Sequence, residues 1–260
     1  MRIAALQMVA RPGEVATNLT MIAEAAVEAK WQGADILVAP ELATTGYGAG
    51  ESISALAEGA DGHQVTRLAR MAANHDVAIV AGFPEREGGQ VFNSAVLVTP
   101  GGDRQVYRKC HLYGDYERGL FAPGGTPSGI VEIGGIGLGL LICYDVEFPE
   151  AVRGLATRGA DLVLVPTALP ESGHAAFIAD KIVPVRAFEN QVCVVYANHA
   201  GSDRHFTYAG RSCIALPDGS DAARAPAEGA ALIIADYDPA RFSECRVQNP
   251  YLRDLRADLF

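Results

Sequence analysis

Gly137-Leu-Gly-Leu-Leu-Ile-Cys-Tyr-Asp-Val-Glu-Phe-Pro-Glu150 is the stretch around which the rest of the chain is arranged. Its apolar residues 138–142 predict a buried strand, and Pro149 predicts the first turn of a helix, where no amide donor is needed. Cys143 therefore lies at a strand-to-helix turn, at the carboxyl end of a strand, where open α/β sheets place ligands. The position suits a nucleophile. Free cysteine is also among the most buried residue types, so this stretch alone leaves a structural thiol equally open.

Composition favours a single domain over residues 1–260. The chain is 49% hydrophobic and 20% charged, which is typical of a folded domain, and no apolar run is long enough to cross a bilayer. The net charge of -10 argues against nucleic acid or an anionic membrane as a partner. The five cysteines form no C-x-x-C pair, so no zinc site or disulfide framework is expected. Reduced thiols and the absence of a secretory pattern at the amino terminus predict a cytoplasmic protein.

The order of apolar segments predicts an α/β protein with two similar halves. Helices are expected at 18–32, 61–76, 151–157 and 175–191, the last bent or begun at Pro184. Strands are expected at 2–8, 36–39, 77–83, 92–99, 138–142, 161–166, 192–197, 208–216 and 231–235, with a short strand ending at Tyr107 that forms a hairpin with 92–99. Residues 112–127 are expected to form a long loop. Because strand, helix, strand, helix and paired strands occur twice, we predict two sheets packed face to face with helices outside, an α-β-β-α sandwich.

Three side chains of complementary chemistry follow predicted strands: Glu41, Lys109 and Cys143. A cysteine attacks as the thiolate and needs a base or a positive field, and a glutamate can take that proton and return it to a leaving amine. A lysine ammonium can stabilise the oxyanion formed when a carbonyl or nitrile carbon is attacked, together with the backbone amide of Tyr144. From position and composition alone, a loop or cap residue is the more usual interpretation of Glu41, and an ordinary surface lysine is the more usual interpretation of Lys109.

Several segments resemble the nitrilase superfamily of carbon–nitrogen hydrolases. The three signature segments are Pro40-Glu-Leu42 with Thr45-Gly-Tyr47, Tyr107-Arg-Lys-Cys-His-Leu112, and Leu141-Ile-Cys-Tyr-Asp145 with Phe148-Pro-Glu150. Asn93-Ser94, Phe121-Ala-Pro-Gly124, Arg186-Ala-Phe-Glu-Asn-Gln191 and Tyr196-Ala-Asn198 are also similar to the family, so the resemblance covers nearly the whole chain.

The resemblance implies a catalytic site and an assembly. Glu41 would be the general base, Lys109 the oxyanion-stabilising cation and Cys143 the nucleophile. Glu117, in a family-like Glu-Arg-Gly-Leu-Phe-Ala-Pro-Gly segment, would orient Lys109 or the substrate amide, with Asp115 as the alternative. Members of the family have the α-β-β-α fold, need no metal or organic cofactor and usually dimerise with crossing tails, a role that residues 250–260 would fill.

The variant Cys143-Tyr-Asp-Val-Glu147 is most similar to bacterial amidases acting on short aliphatic amides, including 5-aminopentanamidase. The implied reaction is hydrolysis of a primary amide to a carboxylate and ammonia through a cysteinyl thioester. Substrate-binding residues are expected to be Tyr47, Asp115, Glu147 and Ala168. An acidic residue such as Glu147 or Asp145 could receive a substrate ammonium group. Alternatively, Asp145 caps the turn and Glu147 pairs with Arg186 or Arg211.

Other activities remain open at this stage. The segment 168–174 departs from the closest amidase pattern, so the particular substrate is not fixed, and an N-carbamoyl amine hydrolase or a nitrilase would use the same thioester chemistry. A different class of hydrolase would combine Cys143 with one of His111, His174 or His199 in a Cys-His-Asp triad. A catalytically inactive binding protein on the same scaffold is a further alternative.

Overall fold

A computed structural model describes residues 1–259, and Phe260, at the end of the expected tail, lies outside the described residues. The strands are β1 Arg2–Gln7, β2 Ile36–Val38, β3 Ala78–Glu87, β4 Gln90–Val98, β5 Arg104–Arg108, β6 Val131–Ile133, β7 Ile136–Leu140, β8 Leu162–Thr167, β9 Cys193–Asn198, β10 Ala200–Ser202, β11 Thr207–Ala209, β12 Cys213–Ala215, β13 Asp221–Arg224 and β14 Ala231–Asp236. The α-helices are α1 Val15–Trp31, α2 Ser52–Leu56, α3 His63–His75, α4 Gly114–Leu120, α5 Pro149–Thr157, α6 Ala175–Phe177, α7 Val183–Asn190, α8 Ser243–Gln248 and α9 Tyr251–Asp254.

Two six-stranded sheets repeat the same plan. The first has the order β14-β1-β2-β3-β4-β5, and the second has the order β13-β12-β9-β8-β7-β6. In each sheet the three central strands are parallel and are joined by helical crossovers, while the flanking strands are antiparallel. The β4–β5 hairpin is present as predicted. The two halves predicted from the order of segments are therefore confirmed.

Alternating side chains along the strands create the layers. Ile3 and Ala5 of β1 contribute to the core between the two sheets, whereas Ala4 and Leu6 pack in a second core beneath α1 and α3. The same alternation runs through β2, β3 and β4. Helices α5 and α7 cover the outer face of the second sheet. The α-β-β-α class is confirmed, and it brings the carboxyl ends of the central strands of both sheets together.

Two predicted elements differ because of local backbone conformation. The single strand expected at 208–216 is divided into β11 and β12, because Gly210 and Arg211 between them have φ values of 61° and 56°, which an extended strand does not allow. The helix expected at 175–191 runs through a π-helical turn, Ile178–Ile182, directly into α7, where Pro184 occupies a first-turn position that needs no amide donor.

The expected loop at 112–127 contains the short helix α4. Its one fully buried residue is Glu117, and Tyr116 and Leu120 pack partly buried against a small apolar cluster, so a carboxylate and two apolar side chains hold this helix in the fold. Of the helices that the structure describes, none combines the length and apolarity needed to cross a bilayer.

Candidate active site

Cys143 opens a five-residue 3-10 turn, Cys143–Glu147, which begins after the two residues that follow β7. Its φ is 46°, a left-handed conformation that costs free energy for a residue with a side chain and recurs at functional turns. The residue is only 7% exposed. Because the first amides of such a turn have no acceptor within it, the main-chain N–H of Tyr144 is available to a ligand.

Asp145 holds this turn in place. Its Oδ2 accepts hydrogen bonds from the Ile142 amide (3.1 Å) and from the Tyr107 hydroxyl (2.9 Å). Its Oδ1 accepts from the His111 amide (2.9 Å) and lies 2.7 Å from His111 Nδ1. Asp145 therefore caps the turn, as one of the sequence interpretations had it, and also ties the turn to the segment that carries Lys109.

Lys109 is a buried ammonium held between two carboxylates. It follows β5 directly, and its main-chain N–H donates to Asn93 O at 2.8 Å. Its Nζ donates to Glu41 Oε1 at 2.7 Å and to Glu117 Oε1 at 2.6 Å. Burial alone would lower the pKa of Lys109, but the two carboxylates outweigh it and the pKa is raised. This lysine is therefore a fixed positive charge at any accessible pH.

Glu41 is fully buried at the end of the segment that follows β2. Its Oε1 also accepts a hydrogen bond from Asn93 Nδ2 at 2.7 Å, whereas its buried Oε2 has no protein partner within residues 1–259. The main chain at Glu41 lies close against β3. Gly82 of β3 permits this approach, because a Cβ added there would lie 2.6 Å from the Glu41 Cα. One oxygen of Glu41 is thus anchored, and the other is free to accept a proton.

Glu117 completes the cluster from α4. Its Oε1 accepts from the Tyr47 hydroxyl (2.9 Å) as well as from Lys109, and its Oε2 accepts from the Tyr113 amide (2.7 Å). Burial raises the pKa of Glu117, an effect that Lys109 opposes and Glu41 reinforces. Tyr47 is itself buried, and its hydroxyl is already used by Glu117, so the contact that the structure gives Tyr47 is with this carboxylate.

The surroundings of Cys143 favour the thiol over the thiolate. Burial raises its pKa well above the ordinary value, and the negative charge of Glu41 adds to this, whereas Lys109 opposes it. The main-chain amide of Ala168, just beyond β8, also lies beside the sulfur, where it lowers the pKa. A thiol in this state needs a neighbouring base before it can attack, and Glu41 is the carboxylate beside it.

The remaining expected residues lie in different places. Asp115 is outside the cluster, since its side chain is fully exposed and faces Arg118 at 3.5 Å, so the structure does not support it as a partner of Lys109 or of substrate. Helical geometry explains the difference, because residues two apart on α4 point in different directions. Glu147 is half-buried at the end of the nucleophile turn.

The three histidines of the alternative triad are engaged elsewhere or exposed. His111 contacts Asp145 and stacks on Phe148 with ring centroids 3.9 Å apart. His199 is buried with its Nε2 2.7 Å from the main-chain oxygen of Glu41, and His174 is exposed. A triad through His111 or His199 would require these contacts to be broken.

Sequence reasoning gave too little weight to Asn93 and His199, both of which fix Glu41. The sequence did contain a signal for both residues, because each is a polar residue within or next to an otherwise apolar strand. Both are buried, and buried polar groups need hydrogen-bond partners. Within residues 1–259, no group of three His, Cys, Asp or Glu side chains is arranged to hold a metal ion. The cluster combines a nucleophile, a free carboxylate oxygen and a fixed cation, which suits acyl transfer.

Comparison with known proteins supports this chemistry. A family model described as carbon-nitrogen hydrolase matches residues 2–247. The chain is 44% identical over 265 residues to the "Hydrolase in pqqF 5'region" of Pseudomonas protegens, covering 100% of this chain and 90% of that protein. It is 34% identical over 258 residues to an (R)-stereoselective amidase of Pseudomonas sp., covering 98% of this chain and 92% of that protein. A cysteine-to-alanine mutant of the amidase from Nesterenkonia sp. AN1 in complex with butyramide superposes with a TM-score of 0.88 at 37% identity, covering 100% of this chain and 95% of that one.

Proposed function

Because this chain belongs to the carbon–nitrogen hydrolase family, we propose that it hydrolyses a small aliphatic primary amide to a carboxylate and ammonia through a cysteinyl thioester. The observation that carries the proposal is the buried cluster in which Lys109 Nζ bridges Glu41 and Glu117 beside the Cys143 thiol. Amide hydrolysis requires a nucleophile, a base and a cation that stabilises an oxyanion, and we assign these roles to Cys143, Glu41 and Lys109.

In the acylation half, the free Oε2 of Glu41 takes the Cys143 proton as the sulfur attacks the amide carbon. A carbon–sulfur bond forms, and the carbonyl oxygen becomes an oxyanion. Lys109 Nζ and the Tyr144 amide are the donors proposed to stabilise it. When the intermediate collapses, Glu41 returns the proton to the amide nitrogen, the carbon–nitrogen bond breaks, and ammonia leaves.

In the deacylation half, water attacks the thioester carbon while Glu41 accepts one of its protons. The second oxyanion collapses, the carbon–sulfur bond breaks, and Glu41 returns its proton to the Cys143 sulfur. The product leaves as a carboxylic acid, which loses its remaining proton to water and becomes the carboxylate. Glu117 positions Lys109 throughout, and Tyr47 positions Glu117 through its hydroxyl. We therefore assign Tyr47 a positioning role rather than a contact with substrate.

The proposed substrate is a short aliphatic amide, with an ω-amino amide such as 5-aminopentanamide as the leading candidate. Two similarities support the short amide: the stereoselective amidase from Pseudomonas sp. and the Nesterenkonia amidase complex that holds butyramide. Ala168, beside the sulfur, is proposed to line the site where the substrate amide binds.

The test is ammonia release by the purified protein and by its Cys143→Ala variant. Substrates should include 5-aminopentanamide, butyramide, an N-carbamoyl amine and a short nitrile, with carbon dioxide followed in parallel. We expect ammonia from the amides without carbon dioxide, and none from the variant. Ammonia with carbon dioxide from the carbamoyl compound alone would assign an N-carbamoyl amine hydrolase instead, and turnover of the nitrile alone would assign a nitrilase. No turnover of any compound would favour an inactive binding protein.

We further propose that residues 1–260 act as one domain in a cytoplasmic homodimer. The cluster takes Glu41 and Lys109 from the first sheet and Cys143 from the second, which supports one functional unit. Val247, Tyr251 and Leu259 near the carboxyl terminus are 76%, 40% and 64% exposed, which supports a partner surface there. Light scattering after size exclusion should give twice the monomer mass of 27.4 kDa. Five free cysteines support the proposal of a reducing compartment.

A further inference from the structure

Glu147 is a half-buried carboxylate at the nucleophile turn. It is the last residue of the turn that begins at Cys143, so its position is tied to that of the nucleophile. In the part of the chain that the structure describes, its side chain makes no hydrogen bond and no salt bridge. Neither of its oxygens is among the fully buried atoms that lack a partner, so the carboxylate is open to water or to a ligand.

The arginines that could neutralise Glu147 are used elsewhere. Arg186 donates from Nε to the Val146 main-chain oxygen (3.0 Å) and from Nη2 to the Glu147 main-chain oxygen (2.6 Å), and its Nη1 pairs with Glu189 (3.0 Å). Arg211 pairs instead with Asp180 at 3.0 Å. The structure gives no salt bridge between the Glu147 carboxylate and either arginine, although the charge of Arg186 acts on it from a distance. Arg186 fixes the main chain of the turn through its hydrogen bonds to the Val146 and Glu147 oxygens.

The charges around the nucleophile leave an excess of carboxylates. Glu41, Glu117 and Glu147 are the acidic groups, and Lys109 is already bound by the first two. Burial raises the pKa of Glu147, and the charges of Lys109 and Arg186 act in the opposite direction, so both cations lie within electrostatic range of it. Arg186 is itself paired with Glu189, so the carboxylates remain in excess. An additional cation would be attracted to this position, and an anion would be repelled.

We propose that Glu147 is a specificity-determining residue that binds the ammonium group at the far end of a cationic amide substrate. The inference rests on the proposed amidase function and deepens it by naming the substrate class. A 3-10 turn advances about 2 Å per residue, so the Cα atoms of Cys143 and Glu147 are separated by about 8 Å along the turn. That separation allows the amide carbon to reach the sulfur while a short aliphatic chain carries an amine to the carboxylate.

The test compares two amides that differ only in charge. Hexanamide has a methyl group where 5-aminopentanamide has its ammonium group, so the ratio of their kcat/KM values isolates the contribution of charge. We expect the native enzyme to prefer 5-aminopentanamide and the Glu147→Gln variant to lose about ten- to a hundredfold of that ratio, the usual range for a hydrogen bond to a charged group. The loss should lie mainly in KM, because the ammonium group takes no part in the reaction.

Matched variants separate this role from structural damage. Glu150→Gln makes the same change three residues away at an exposed position, and it should leave the ratio unchanged. Glu147→Asp keeps the charge on a shorter side chain and should retain part of the preference. Binding of both amides to Cys143→Ala, and to the double variant that also carries Glu147→Gln, gives the same comparison by calorimetry without any turnover.

The outcomes distinguish this inference from the amidase assignment. Hydrolysis of both amides with an equal ratio in the native and Glu147→Gln enzymes would overturn the cation site while leaving the amidase intact. An absence of ammonia from either amide would instead refute the amidase. In that case the calorimetric preference decides the inference: a preference for 5-aminopentanamide that depends on Glu147 supports it, and equal binding overturns it.

Discussion

Replacing Glu41 with glutamine should separate the reactivity of the thiol from catalysis. Lys109 and Asn93 both donate to Glu41 Oε1, so the new amide should place its carbonyl oxygen there and its NH2 group in the position of the free Oε2. That NH2 group cannot accept a proton. The variant therefore keeps the shape of the cluster and loses its base.

The expected loss follows from the two steps that need this base. Proton transfer by a positioned side chain contributes about 10²- to 10⁴-fold to a rate. Because both acylation and deacylation use Glu41 in the proposed mechanism, we expect kcat for amide hydrolysis to fall by about 10³-fold, equivalent to about 4 kcal/mol of transition-state stabilisation.

Thiol reactivity should change in the opposite direction. The charge of Glu41 raises the pKa of Cys143, so its removal should lower that pKa. Alkylation by iodoacetamide across a pH series should then reach half of its maximal rate at a lower pH in the variant. Glu132→Gln, at an exposed position on β6, is the matched control and should change neither measurement.

Two results would refute this reasoning. If Glu41→Gln retained more than about a tenth of the native kcat, Glu41 would not be the general base, and a cysteine–histidine mechanism would regain support. If the pH dependence of alkylation moved upward instead, the Glu41 charge would not be acting on the Cys143 thiol. Thermal unfolding of the variant should show an intact fold before either result is interpreted.

Four further predictions follow from the same contacts. Lys109→Met leaves two buried carboxylates without a counter-charge and should lower the free energy of unfolding by about 3–5 kcal/mol in urea titrations, whereas an unchanged value would contradict the described ion pairs. Tyr47→Phe removes one buried hydrogen bond and should cost about 1 kcal/mol in the same assay. The preference for 5-aminopentanamide over hexanamide should decline on acidification as Glu147 is protonated. Because burial raises the pKa of Glu147, the decline should begin at a pH above the ordinary glutamate pKa of 4.5. A ratio of kcat/KM values that does not change with pH would argue against a role for the Glu147 charge. Burial lowers the pKa of His199, so the imidazole binds a proton more readily in the unfolded chain than in the folded protein. The free energy of unfolding should therefore fall as pH drops below about 6.5. The His199→Gln variant should lack the part of this pH dependence that comes from His199.

The sequence was most informative where strands end. Glu41 and Cys143 follow apolar runs, and Lys109 follows the short strand Arg104–Arg108. Carboxyl ends of strands in this architecture meet at one edge of the sheets. A glutamate, a lysine and a cysteine at these positions suggest a base, a cation and a nucleophile from the sequence alone. The family motifs then linked them, and the family and fold that these motifs predicted are confirmed.

Short or irregular elements were less accessible. Helix α4 has only 7 residues, too few to show an apolar period, and a helix of that length depends on tertiary contacts rather than on propensity. The break between β11 and β12 depends on positive φ at Gly210 and Arg211, and an arginine gives no local indication of that conformation. The periodicity of apolar residues therefore located the long helices and strands, but not the short elements whose conformation depends on tertiary contacts.

The sequence by itself determined the two halves, the period-two alternation that stacks the sheets and the three strand-end side chains, because these depend on which residues must leave water and on neighbours along the chain. Only the tertiary structure decided which polar groups pair. Glu117 rather than Asp115 reaches Lys109, and Arg186 binds main-chain oxygens and leaves the Glu147 carboxylate unpaired. Pairing depends on distances of a few ångströms between residues far apart in the chain, and no local pattern encodes those distances.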